Sequence, residues 1–436
     1  MCIIIAMINY INNILNDTLK LVAIDSVQAP PTALSPFGDG VYMCLDEVLK
    51  IAASLGFEVR NERGYYGTAT IGEGEEFGIL GHMDVVPYKN QTWTKKPLGE
   101  IDNGILYGRG VLDDKGPMVC CLYAVHKLIQ DGLTPKRKIK FIFGGNEETG
   151  WKCMERYKQL ETMPKDGFSP DADFPIINCE KGIMHVSISL DKPKELLEIK
   201  AGERPNMVID KCFATIDAPL SHPNDINISY KIEKGKTYIK TFGVSAHGST
   251  PEKGENAFLS TLHYLSENLH GVYEKLYSLL YSIKGEGLGL NIKDEQSGEL
   301  SLNVGIVEIK ADKLIVTIDI RHPISFTKDD IFSRIESKFD FAKCEIVNYQ
   351  APLFVEKNDD LVQKLLSSYN KVMHTSLSPI AIGGGTYARA MEHGVGFGPV
   401  FPGKESTAHE ADEHFSIEDF SNAFDVYVEA IKELCF

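Results

Sequence analysis

His82 and Asp84 stand two residues apart at the end of a short apolar run, in the segment FGILGHMDVVP spanning Phe77 to Pro87. In an extended chain residues i and i+2 project to the same side, so the imidazole and the carboxylate point together. That is the arrangement of a metal-bound histidine, whose second ring nitrogen donates to a supporting carboxylate. An HxD pair alone carries little weight, and the groups able to join it decide the matter. Asp113 and Asp114 lie in the glycine-flanked turn GRGVLDDKGP, Glu147 and Glu148 follow KIKFIFGGN, Asp171 lies in FSPDADFP, and His409 in STAHEADEHF. Taken singly, each has a plain reading: turn and helix-cap aspartates, surface glutamates, a loop histidine. Taken together, two histidines and at least three carboxylates form a mixed N/O donor set suited to a pair of Zn²⁺ or similar ions, with one carboxylate bridging. Such a pair activates water, polarises a carbonyl and steadies the tetrahedral oxyanion. A carboxylate left free beside the ions carries the proton from that water to a leaving amine.

Elements of two kinds must hold these groups. Helical spacing marks 8–23, 41–55 (closed by Gly56), 116–131 and 359–373, while 57–60, 65–71, 78–80 and 138–143 read as strands. Three of the acidic sites fall at or just after strand ends, the usual place for ligands in an open α/β sheet. From about Lys181 the pattern changes: 185–190, 237–244, 301–309 and 314–320 alternate like strands with one exposed face, and 256–283 reads as helical. The segment 190–238 reads as irregular and charged. The expected architecture is α/β: a catalytic domain with a mixed central sheet flanked by helices, built from residues 1–183 and 351–436, with an α+β lid domain inserted at 184–350.

The chain of 436 residues is long enough for two or three domains with substantial cores. A formal net charge of −16 argues against nucleic acid or an anionic membrane as the main partner. Nine cysteines without a CxxC pair read as small buried hydrophobes of a reducing compartment. The apolar start, MCIIIAM, has no basic lead or cleavage site, and no run reaches the roughly 18 apolar residues of a membrane span. A cytoplasmic location is therefore expected.

The segments GHMDVVP, GRGVLDDKGP, NEETG, SPDA, SAHGSTP, GGGTYAR and AHEADE, in that order over nearly the whole chain, strongly resemble the dinuclear zinc metallopeptidase superfamily of aminoacylase, carboxypeptidase G and carnosinase. Within it they look most like the bacterial PepV-type dipeptidases. The resemblance implies that His82 and Asp171 hold one zinc, Glu148 and His409 the other, and Asp113 bridges them, Mn²⁺ or Co²⁺ being alternatives to Zn²⁺. Asp113 is preferred to Asp114 because family members often keep only that position, and the peptide between the two is expected to be cis. Asp171 is preferred to its rival Asp173 on motif position. Glu147 is implied as general base and acid, and Asp84 as the orienting partner of His82. From the lid, His247 is implied as hydrogen-bond donor to the oxyanion, against the alternative of a turn histidine before Ser249 and Pro251. Arg321 is implied to grip the substrate's free carboxylate. Asn206 and the backbone around Gly384 are weaker members of that pocket. The implied activity is metal-dependent hydrolysis of dipeptides or very short peptides with free termini, by a monomer or homodimer. The alternative within the superfamily is a deacylase or desuccinylase of N-acyl amino acids. Every ligand position carries a competent residue, which disfavours a silent scaffold.

Overall fold

The computed structural model describes residues 2–436, with the side chains of residues 2–9 excluded. The expectation of a buried thiol at Cys2 lies outside those described side chains. Two compact units are present, one made of Met1–Asn178, Val355–Ile380 and Thr386–Phe436, the other of Cys179–Phe354 and Ala381–Gly385. The division falls within five residues of the junctions expected at 183/184 and 350/351, and it differs in one respect. The Ala381–Gly385 segment, expected with the second part of the catalytic domain, groups with the inserted unit, where the Gly383 carbonyl accepts from Arg321 Nη1 at 2.9 Å.

The first unit is built on a mixed sheet in the order Glu58–Glu62, Tyr66–Ile71, Lys138–Gly144, Glu76–His82, Asp166–Ser169, His393–Gly396, Ile177–Glu180. Its middle is parallel, from Lys138–Gly144 across Glu76–His82 and Asp166–Ser169 to His393–Gly396. A strand with parallel neighbours on both sides is covered on both faces and reads as a continuous apolar run. This is why FGILGH is buried from end to end. Helices Asp39–Ser54 and Lys115–Gln130 cover one face, and Cys2–Val22 and Ile417–Cys435 pack against the latter. Lys152–Leu160 and the short turn Tyr387–Ala390 cover the other, where Tyr157 meets Tyr66 edge-on at 5.0 Å. Lys115–Gln130 is apolar almost all round because it is sandwiched between the sheet and other helices.

The second unit is an eight-stranded antiparallel sheet ordered Ile228–Glu233, Lys236–Phe242, Lys211–Ile216, Leu196–Ala201, Ser301–Lys310, Lys313–His322, Gly182–Asp191, Lys343–Gln350. Three of these strands lie in the segment expected to be irregular. Leu196–Ala201 and Lys211–Ile216 bury part of their side chains and expose charged or aromatic ones, which disguises them as loops. The expected helix 256–283 is two helices, Ala257–Leu269 and Val272–Leu280, because His270 and Gly271 take φ of 52° and 62° and end the first. The eight cysteines with described side chains are all buried and free. Among the described residues no helix is long and apolar enough to cross a membrane.

Gly81 shows how tightly the strand ending in His82 is held. A Cβ there would lie 2.0 Å from Asp114 Oδ2 and 2.5 Å from Met118, and that carboxylate oxygen accepts the His82 backbone N–H at 3.2 Å. Gly81→Ala is expected to destabilise the protein by about 1–3 kcal/mol through overpacking, read as a lower urea midpoint at unchanged slope. A native midpoint would show that this contact is not tight.

Candidate metal centre

The parallel strands deliver the candidate ligands at one end of the sheet. His82 closes Glu76–His82, in register with Gly144, which closes Lys138–Gly144. Glu147 and Glu148 follow that second strand, and Asp171 follows Asp166–Ser169. Asp113 comes from the turn before helix Lys115–Gln130, joined to Asp114 by a cis peptide. His409 sits on a loop, itself in the left-handed region at φ 66°.

Two triads result, and they share Asp113. His82, Asp113 and Asp171 form one, and Asp113, Glu148 and His409 the other. His82 Nε2 is 2.8 Å from Asp113 Oδ1 and 3.6 Å from Asp171 Oδ2. His409 Nε2 is 2.9 Å from Asp113 Oδ2 and 3.0 Å from Glu148 Oε1. Each oxygen of Asp113 thus faces the histidine of a different triad, as a bridging carboxylate must.

At its most buried point the donor set has the character of a cation site. His82 Nε2 and Asp113 Oδ1 are buried and lie 2.8 Å apart, yet they make no hydrogen bond with each other or with anything else. Orphaned buried polar atoms are costly. A nitrogen and an oxygen brought together without bonding suit a shared cation, so the residues fit divalent metal.

The electrostatics agree. Burial alone would lower the His82 pKa, but the Asp113 and Asp171 carboxylates raise it well above its usual value. Burial would likewise lower His409, and Glu148 and Asp113 raise it. Burial would raise Asp113, but His409 and His82 hold it well below the carboxylate range. Asp171 is pushed up to about 6, first by burial and then by Asp113, against the lowering effect of His82. The site calls for positive charge between its members.

Asp84, expected to orient His82, meets it chiefly through its backbone. His82 Nδ1 is 2.9 Å from the backbone carbonyl of Asp84, whereas the nearer carboxylate oxygen is 3.6 Å away. The carboxylate instead accepts the backbone N–H groups of Glu147 and Glu148 at 3.0 and 3.1 Å. It therefore fixes the turn that aims the two glutamates apart. Glu148 enters a triad, while Glu147 stands outside both and takes the Trp151 indole N–H on Oε1 at 3.2 Å. Burial first, then the charges of Glu148, Asp171 and Asp84, raise the Glu147 pKa well above normal against the effect of His82. Asp114 and Asp173 belong to neither triad. Asp114 precedes the helix without capping it.

The second unit gathers the remaining candidates around one buried carboxylate, Asp319. Arg321 donates from Nε and Nη2 to Asp319 at 2.9 to 3.1 Å, and from Nη1 to Gly383. Gly248 lies so close that a Cβ there would be 2.4 Å from Asp319 Oδ2, and its N–H donates to the Asn206 carbonyl at 2.7 Å. His247 is exposed, its Nδ1 2.6 Å from Ser249 Oγ, and Ser249 packs against Gly383, the neighbour of Gly384.

Sequence reasoning gave no role to Arg109 and Glu413, although both lie within the quoted motifs. The pair is buried, with Arg109 Nη1 donating to Glu413 Oε2 at 2.6 Å. The signal was a charge of each sign within segments already implicated in the site.

Comparison with known proteins gives the family. Residues 78–433 match the model of the peptidase family M20/M25/M40. The protein named "Putative dipeptidase YtjP" from Bacillus subtilis (strain 168) is 35% identical, over 97% of this chain and 97% of its own. The chain also resembles human carnosine dipeptidase 1, with a TM-score of 0.61 at 14% identity, over 98% of this chain and 97% of that one. The dipeptidase Dug1p of Saccharomyces cerevisiae gives a TM-score of 0.63 at 13% identity over the same shares. At such identities the two structures speak for the fold alone.

The opposed aims of Glu147 and Glu148 predict separable defects. Glu147→Ala should lose turnover and keep native metal content, because no ligand is removed. Glu148→Ala should lose metal from one site. Elemental analysis beside turnover distinguishes them, and the reverse pattern would mean that the two roles are exchanged.

Proposed function

The chain belongs to peptidase family M20/M25/M40 and is a hydrolase, and from that premise we propose that it is a cytoplasmic dipeptidase working with two divalent ions, most simply Zn²⁺. The observation that carries this reading is the placement of Asp113, whose two carboxylate oxygens face His82 and His409 from opposite sides. His82, Asp171 and Asp113 would hold one ion, and Glu148, His409 and Asp113 the other. Ions held there supply Lewis acidity towards a carbonyl and a source of nucleophilic water at neutral pH.

The chain's own groups do the rest. Glu147, tethered by Trp151 and excluded from both triads, takes a proton from the attacking water and returns it to the leaving amine. Asp84 keeps that carboxylate in place by holding its backbone. His247 donates to the oxyanion. Arg321, its guanidinium fixed by Asp319, reads the substrate's free carboxylate, with Asn206 and the backbone at Gly384 completing the pocket. A preference for dipeptides is supported by the names of the relatives.

Removing metal with a chelator should abolish hydrolysis, and adding back Zn²⁺, Mn²⁺ or Co²⁺ should restore it, across a panel of dipeptides, tripeptides and N-acyl amino acids. Dipeptides should be the best substrates. A preference for N-acyl amino acids would make the chain a deacylase, and full activity without metal would remove the reading. Arg321→Ala should lower kcat/KM for free-carboxylate dipeptides by roughly ten- to hundredfold, the range for losing a charge-assisted contact, and should spare their C-terminal amides. Equal losses on both would show that Arg321 does not read the carboxylate.

A further inference from the structure

A buried brace lies beneath the metal triads and belongs to neither. Glu413 Oε1 accepts three backbone N–H groups from the turn that carries Asp113, those of Gly110 and Leu112 at 3.0 Å and of Asp113 itself at 3.2 Å. Its other oxygen takes Arg109 Nη1 at 2.6 Å. Arg109 Nη2 continues to Gln91 Oε1 at 2.6 Å and to the Glu410 carbonyl at 3.1 Å. Gln91 Nε2 then donates to the backbone carbonyl of His409 at 2.7 Å. The connection runs unbroken from the Asp113 turn to the His409 loop, segments 300 residues apart in sequence at the Glu413–Asp113 contact.

Stability alone does not account for a pair this deeply buried. Arg109 and Glu413 are 2% and 0% exposed, and an ion pair out of water is seldom better than well-packed apolar residues of the same volume. What apolar side chains could not do is hold three N–H groups of one turn and a carbonyl of a distant loop at fixed positions. The candidate ligand atoms served by these anchors, Asp113 Oδ2 and His409 Nε2, lie 2.9 Å apart.

We infer that Glu413, Arg109 and Gln91 are positioning residues that set the spacing between Asp113 and His409 and thereby the affinity of the site for divalent ions. The inference rests on the two-ion reading proposed above. The brace is asymmetric. Glu413 supports Asp113, which is common to both triads, whereas Gln91 reaches only His409, a member of one.

The asymmetry supplies the test. Titration of the metal-free full chain with Mn²⁺ alone, followed by calorimetry, should give two binding events in the native protein. Gln91→Ala, a change at a partly exposed residue, should weaken one event by about tenfold and leave the other native. Glu413→Gln keeps the acceptor oxygen but loses the charge facing Arg109, and should weaken both by about ten- to hundredfold, the range for supporting partners of metal ligands. Each titration is run where circular dichroism shows the metal-free variant fully folded, so a general loss of stability does not enter. Native affinities in a folded Glu413→Gln, or affinities in Gln91→Ala that are both native or both lowered alike, would overturn the inference. If Glu413→Gln does not fold, Gln91→Ala decides alone. Fewer than two events in the native protein would instead count against the two-ion reading.

Discussion

Six carboxyl groups, Asp84, Asp113, Asp114, Glu147, Glu148 and Asp171, converge with two imidazoles at one end of a parallel sheet, and that concentration of charge governs the rest of the first unit. In a low-dielectric setting such a cluster is tolerated only if cations lie between its members or if some of them are protonated. The structure divides the cluster accordingly. Asp113 is held as an anion between two histidines, while Asp84 and Asp171 are each pushed up to about 6, first by burial. The two triads that share Asp113 are where divalent ions would balance that charge.

Much of this was legible in the sequence for a physical reason. Parallel strands are buried on both faces, so FGILGH and KIKFIFGG stand out as apolar runs, and the candidate ligands are found at their ends or up to three residues beyond. Spacing could not say which oxygen of Asp84 would meet His82. An i, i+2 relation brings the whole residue near the ring, and the backbone carbonyl took the place expected of the carboxylate. Nor could spacing reveal Glu413, since its task is to accept N–H groups from a turn 300 residues away. Long-range side chain to backbone contacts leave no local pattern.

The second unit was less legible. Antiparallel strands with one solvated face carry lysines and glutamates, and LLEIKA and KCFATI were hidden among the charged residues around them. Its organising group is a single buried aspartate, which fixes the Arg321 guanidinium and leaves no room for a side chain at Gly248. Because Gly248 follows His247 and bonds to Asn206, residues far apart in sequence are gathered around one carboxylate. Both units thus use the same device, a buried anion that sets the geometry of several chain segments.

The central claim is that Asp113 bridges two ions. Anomalous diffraction from crystals of the Mn²⁺-loaded protein tests it most directly. The account predicts two peaks, one contacted by His82 and Asp171 and the other by Glu148 and His409, each within coordination distance of a different oxygen of Asp113. A single peak, or two peaks with Asp113 bound to only one, would contradict it.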